Sequence, residues 1–244
     1  MPGEISVLAF AVCCLAAAGG GVVQALIGFG YALLIVPTLL LVRVDLVPVT
    51  PLVVATPMVL WLAWADRRGL DAPVFWRMTA GRVPGTAVGA WLLGVIGTTA
   101  LSEAAGVLLI VAAALSFARG ARRVSPALEY GAGFASGVAG TVSAVGGPYL
   151  GLAMADRAGP TLRATVSVAF AVGIVVSLLA LGVADRIERP AVELGIALVP
   201  ATALGLGLGR RVARRAEGRW LRPAVLAFAA AAGVFAIVRG LLEG

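Results

Sequence analysis

Apolar residues run along this chain in eight long stretches, residues 5–42, 44–65, 78–97, 101–118, 127–155, 164–184, 191–209 and 221–238, parted by short breaks that carry arginine, glycine or proline. One helix needs roughly 20 apolar residues to cross the hydrocarbon of a bilayer, and most of these stretches have about that length. The pattern predicts an all-α polytopic membrane protein with no soluble domain left over. Only the first and fifth stretches exceed an ordinary span. Both contain an interruption, Gly28-Phe29-Gly30-Tyr31 in one and Ala144-Val145-Gly146-Gly147-Pro148 in the other. Glycine and proline break helices, so each long stretch is expected to form a re-entrant or V-shaped hairpin that three transmembrane helices follow.

Sliding the chain against itself by 116 residues lays Gly21 on Gly137, Gly30 on Gly146, and Val83-Pro-Gly-Thr-Ala-Val-Gly89 on Val199-Pro-Ala-Thr-Ala-Leu-Gly205. Five of the last seven positions are identical. With four extra residues allowed, Leu101 to Gly120 falls on Leu221 to Gly240. The chain therefore divides into a first repeat, residues 1–122, and a second, residues 123–244, within a single integrated membrane domain. If every stretch crossed once, nine loop arginines would lie on each face, against the bias of cytoplasmic loops toward positive charge. If the fifth stretch enters and returns, fourteen loop arginines share one face and only Arg43, Arg186, Arg189 and Arg239 lie opposite. That asymmetry predicts two inverted repeats, with the loops Arg67 to Arg77, Arg119 to Arg123 and Arg210 to Arg222 in the cytoplasm.

Composition sharpens this picture mainly by what it removes. Hydrophobic residues are 61% of the chain and charged residues 13%, far from the roughly 25% charge of soluble domains. The pI of about 10.9 comes from arginine alone. Those arginines sit between apolar runs, where they suit anionic headgroups better than nucleic acid. There is no histidine, and Asp66, Glu103, Glu129 and Glu193 sit near segment ends, so a buried carboxylate proton relay is unsupported. A chain without lysine contains no phosphate-binding P-loop, and no nucleophile–base constellation marks an enzyme. No cofactor and no metal is expected. Cys13 and Cys14 are adjacent in an apolar run and fit a packing role. The opening Met1-Pro-Gly-Glu4 lacks the positive region of a secretory signal, so the first stretch is expected to be retained.

Non-helical backbone within a bilayer survives only where protein or a water-filled cavity satisfies it. Interruptions at corresponding positions of two halves point to a substrate site, and half-helix N-termini aimed at it suit an anion. The candidate binding residues are Gly28, Phe29, Gly30 and Tyr31 of the first break and Gly146, Gly147 and Pro148 of the second. Gln24, Thr141, Ser143 and Tyr149 lie beside the breaks, and Thr50 and Ser167 come early in the segments that follow. Close helix packing is the competing reading of the glycines, and self-capping that of the hydroxyls. Thr86 and Thr202 are expected to cover carbonyls freed by Pro84 and Pro200. Arg82 is the one charged residue inside a span, with Leu198 at its counterpart position. It either binds the anion at the inner mouth or snorkels to headgroups.

The glycine-broken first stretch with Gly28-Phe29-Gly30, the run Gly133-Phe-Ala-Ser-Gly137-Val-Ala-Gly140 leading to Gly146-Gly147-Pro148, and the duplicated half together resemble the TauE/SafE sulfite-exporter family over nearly the whole chain. The resemblance implies a multi-pass protein of a prokaryotic plasma membrane that exports sulfite, sulfoacetate or a related organosulfur anion. The expected function is thus a secondary transporter or facilitator for a small anion, working by alternating access, with the lipid bilayer as its other partner. An anion channel and a non-transporting assembly subunit are the rival functions. Substrate, coupling ion and any homo-oligomer are left open by the sequence.

Overall fold

The computed structural model describes residues 5–96, 98–117, 124–157 and 159–213. The predicted stretch 221–238, Arg119 to Arg123, Arg214 to Arg222 and Arg239 lie outside them. The described chain forms α1 (Val7–Ile27), α2 (Ala32–Val42), α3 (Val49–Asp66), α4 (Ala72–Val95), α5 (Thr98–Phe117), α6 (Pro126–Val142), α7 (Gly147–Leu152), α8 (Gly159–Val183) and α9 (Arg189–Ala213), with no strand among the described residues. Both long stretches are broken at the predicted glycines, between α1 and α2 and between α6 and α7. Four of these helices are long and apolar enough to cross a membrane by length and composition.

Several helices start earlier than their apolar runs, because polar caps extend them. Asp71 accepts a hydrogen bond from the Val74 amide and Pro73 occupies the first turn, so α4 begins six residues before the apolar stretch at Met78. Ser125 caps α6 in the same way, accepting from the Leu128 amide ahead of Pro126. Such caps satisfy amides that have no partner inside the helix.

Ion pairs define one end of the bundle. Arg157, just beyond α7, reaches Asp71 at 2.9 Å and Glu129 at 3.6 Å, and Arg77 also pairs with Glu129. Glu129 lies in the first turn of α6. Asp66 and Arg210 meet there too, at 3.6 Å, with Arg210 stacked over Trp61 and Arg67 over Trp64. At the opposite end, the Thr50 hydroxyl donates to the Ala191 carbonyl at 2.9 Å and Arg186 donates to Gly94 O at 3.4 Å.

Two seams hold the bundle together, α4 against α6 and α1 against α9, while α3 and α8 pack on each other between them. Each seam is made by glycines. A Cβ at Gly81 or Gly85 of α4 would overlap the carbonyls of Tyr130 or Phe134 on α6, and one at Gly133 of α6 would overlap that of Met78. On the other side, a Cβ at Gly205 would overlap Ala18 O, and one at Gly209 would lie 2.8 Å from Val22. Backbones approach this closely where neither helix presents a side chain. The outer surface remains apolar, with Trp64, Trp91, Leu204 and Val183 all exposed. Such a surface requires lipid rather than water around it, and the molecule is an integral membrane protein.

Candidate functional site

The first break is stapled by Gln24. Its amide nitrogen donates to Gly28 O at 3.0 Å, and its amide oxygen accepts from the Tyr31 N–H at 3.2 Å. One buried side chain thus replaces two hydrogen bonds that the helix loses on breaking. Gly28 closes α1 at φ 87°, a left-handed conformation that favours glycine. The second break turns at Ala144, φ 60°, and its carbonyl at Gly146 accepts from the Ser136 hydroxyl at 2.9 Å. The two breaks touch: a Cβ at Gly147 would sit 3.1 Å from that of Phe29.

Between them lies a small cavity of about 30 Å³. Gly30 and Tyr31 line it from the first break, Ala144, Gly147 and Pro148 from the second, Pro51, Leu52 and Met58 from α3, and Phe170 and Ile174 from α8. Among the described residues, Gln24, Tyr31 and Arg82 bring polar side chains to this wall. Both ends of the Gln24 amide are already used, whereas the Tyr31 hydroxyl faces Thr202 without reaching hydrogen-bond geometry. The chemistry available to a ligand is therefore the charge of Arg82 and the unpartnered Tyr31 hydroxyl.

Arg82 is 2% exposed, in the middle of α4. It does not snorkel. Its Nη1 donates to Ser136 Oγ at 2.8 Å, its guanidinium lies 5.4 Å from the Phe170 ring centre, and its Nε has no partner. Glycines make the notch it occupies, since a Cβ at Gly173 would overlap the guanidinium and one at Gly140 would lie 3.0 Å from Nη2. No carboxylate pairs with it among the described residues. A buried cation without a counter-charge costs several kcal/mol, which a hydroxyl and an aromatic face offset only in part. What remains is a positive potential in a poorly screened cavity, the condition that attracts a small anion.

The structure distributes the expected site residues unevenly. Gln24, Gly30, Tyr31, Gly147, Pro148 and Arg82 line the cavity. Gly28 packs on Arg163 of α8, Phe29 is buried between the breaks, and Gly146 sits behind the wall against Ser136. Thr141 bonds Ser177 at 3.0 Å and so ties α6 to α8, while Ser143 donates back to Ala139 O. Thr50 ties α3 to α9 at the second end, and Ser167 is buried in α8 away from the cavity wall. Thr50 and Thr141 thus bond to neighbouring helices, and Ser143 bonds back within its own. Tyr149 likewise donates to Leu108 O on α5. Thr202 donates to Leu198 O at 3.2 Å, its own i−4 carbonyl rather than the Ile196 carbonyl that Pro200 leaves free, and the Thr86 hydroxyl has no partner. The half-helix after the second break is only six residues long. The positive potential comes from the Arg82 charge rather than from that short dipole.

Sequence reasoning missed Ser136, Phe170, Gly140 and Gly173, which shape the Arg82 notch. The signal for the glycines was present, because glycine inside a helix costs about 1 kcal/mol relative to alanine and needs a packing reason. Nothing local marked Ser136 or Phe170.

A family model described as Sulfite exporter TauE/SafE matches residues 13–236, and the chain belongs to that family. No curated protein and no solved structure matches it.

Proposed function

We propose that this family member is a secondary transporter or facilitator that exports a small anion, a sulfur oxyanion or organosulfonate such as sulfite or sulfoacetate, by alternately exposing the Arg82 cavity to the two sides of a prokaryotic plasma membrane. The family is one of membrane transporters for sulfur-related anions, and an unpaired arginine in a cavity between two broken helices is the observation that carries the finer reading. Residues 1–122 and 123–244 act as two inverted repeats in this proposal. The helix contacts support it: α1 with α9 and α6 with α4 are the same pairing with the halves exchanged, and the Arg157–Glu129 ion pair joins the residues beyond α7 to the first turn of α6. The end bearing Arg67, Arg68, Arg77, Arg157, Arg210 and Arg211 is assigned to the cytoplasm by its charge.

The test is flux in proteoliposomes loaded with sulfite or methanesulfonate. A transporter gives saturable efflux, and Arg82→Gln should reduce it at least about tenfold, the scale of one lost charge-assisted contact. Flux that rises without saturation would mark a channel. Undiminished flux in the Arg82→Gln protein would remove the site assignment.

A further inference from the structure

Ser136 spends its one proton on the second break. A serine hydroxyl has a single proton to donate, and here it goes to Gly146 O of the second break at 2.9 Å, while the same oxygen accepts from Arg82 Nη1 at 2.8 Å. The residue is fully buried. The contact is also tight, since a Cβ on Gly146 would lie 2.8 Å from Ser136 Oγ. Donation from a cation polarises the hydroxyl and strengthens its bond to the carbonyl, because chained hydrogen bonds reinforce one another at low dielectric.

We infer that Ser136 is a positioning residue that aims Arg82 into the cavity and links the charge state of that cavity to the grip on the second break, an inference that rests on Arg82 being the anion-binding group. An anion on the guanidinium draws its charge away from Ser136, the hydroxyl is depolarised, and its hold on Gly146 weakens. The linkage is reciprocal: whatever ligand does to the break, the break does to ligand affinity. The 116-residue shift lays Arg82 on Leu198 and Ser136 on Gly20, so the pair that joins α4 to α6 has no counterpart between α1 and α9.

The experiment uses the full chain with Cys13 and Cys14 replaced by serine, reconstituted in nanodiscs, with sulfite under nitrogen as the probe. Ser136→Ala should weaken sulfite binding about tenfold. In an Arg82→Lys background, which keeps the charge but lacks Nη1, the same substitution should change affinity by less than about twofold, because the contact it removes is already gone. Equal losses in the two backgrounds would overturn the inference and leave the transport reading standing. A ligand-free measurement separates the two further. With Ala144→Cys as reporter, Ser136→Ala should speed thiol labelling at the second break, and sulfite should speed it in the protein that retains Ser136. If the retained-Ser136 protein binds no sulfite, the transport reading for sulfite falls, and the labelling rate alone decides: no acceleration by Ser136→Ala sinks the positioning role as well.

Discussion

The α4–α6 seam and the α1–α9 seam are built from the same materials and set in different registers. In the first, Gly85 faces Phe134 and Gly137 faces Arg82 O. Adding or subtracting 116 turns Phe134 into Ala18 and Gly137 into Gly21, yet these face Gly205 and Thr202, the counterparts of Gly89 and Thr86. The second seam is thus displaced by four residues, one helical turn or about 6 Å. Two copies of one unit, docked identically, would share a register. Glycine spacing explains how both are allowed: Gly81, Gly85 and Gly89 recur every fourth residue along α4, so a slide of one turn presents the same smooth surface again. The Arg82–Ser136 bond and the Arg77–Glu129 ion pair both cross the first seam, and Leu198 and Gly20 give the second seam no counterpart of the former.

The largest effect should come from roughening either seam. Gly133→Leu or Gly205→Leu places a side chain where a backbone carbonyl already lies, and should cost more than about 3 kcal/mol, enough to abolish a monodisperse folded protein in detergent. Gly94→Ala and Gly207→Ala, with nothing within 4 Å of the added Cβ, should leave thermal stability unchanged or slightly raised. If the seam and control substitutions behave alike, close packing is not what the seam glycines provide.

A second test asks whether the registers exchange during transport. Spin labels at Val88 and Phe134 report the first seam and labels at Leu204 and Leu15 the second, all at lipid-facing positions. Sulfite should shift the first pair by several Å along the axis, up to about 6 Å for a full turn, and move the second in the opposite sense. Static distances in a protein that still transports would show that the offset is a fixed feature of the fold.

Much of this arrangement was legible in the sequence, for identifiable reasons. Helix-breaking at Gly28–Tyr31 and Ala144–Pro148 is a local property of glycine and proline, and the structure breaks there. Charge at one end was an expectation only where the fifth stretch turns back, since plain alternation of loops balances the arginines. The partners of the hydroxyls were not legible, because a serine or threonine in a helix carries no record of which neighbour it meets. Thr141 finds Ser177 and Thr50 finds Ala191 only through tertiary packing. Arg82 was legible as an anomaly, but its choice between lipid surface and cavity was settled by Gly140 and Gly173, distant glycines on α6 and α8 that open a notch for it.

Effects at those hydroxyls should be the smallest. Thr141→Val and Thr50→Val each delete one interhelical hydrogen bond and should lower stability by about 1 kcal/mol, measured by thermal denaturation, without changing sulfite affinity. A loss of affinity with Thr141→Val, stability being equal, would bring Thr141 back into the ligand site. Thr141 and Thr50 brace opposite halves, so similar costs at the two would show that the halves are equally braced despite their different registers.

The unpaired Arg82 charge also has an electrical consequence. With the cavity empty, the protein carries a net positive charge deep within the membrane's electric field. With a monovalent anion bound, that region is neutral. Moving one elementary charge through the whole field is worth about 2.3 kcal/mol per 100 mV, so in the proposed cycle membrane voltage does work on the empty protein as it resets and almost none on the loaded one. In that cycle, whichever half displaces Arg82 along the membrane normal is the one whose pace the potential sets, and a cell's resting voltage becomes part of its timing.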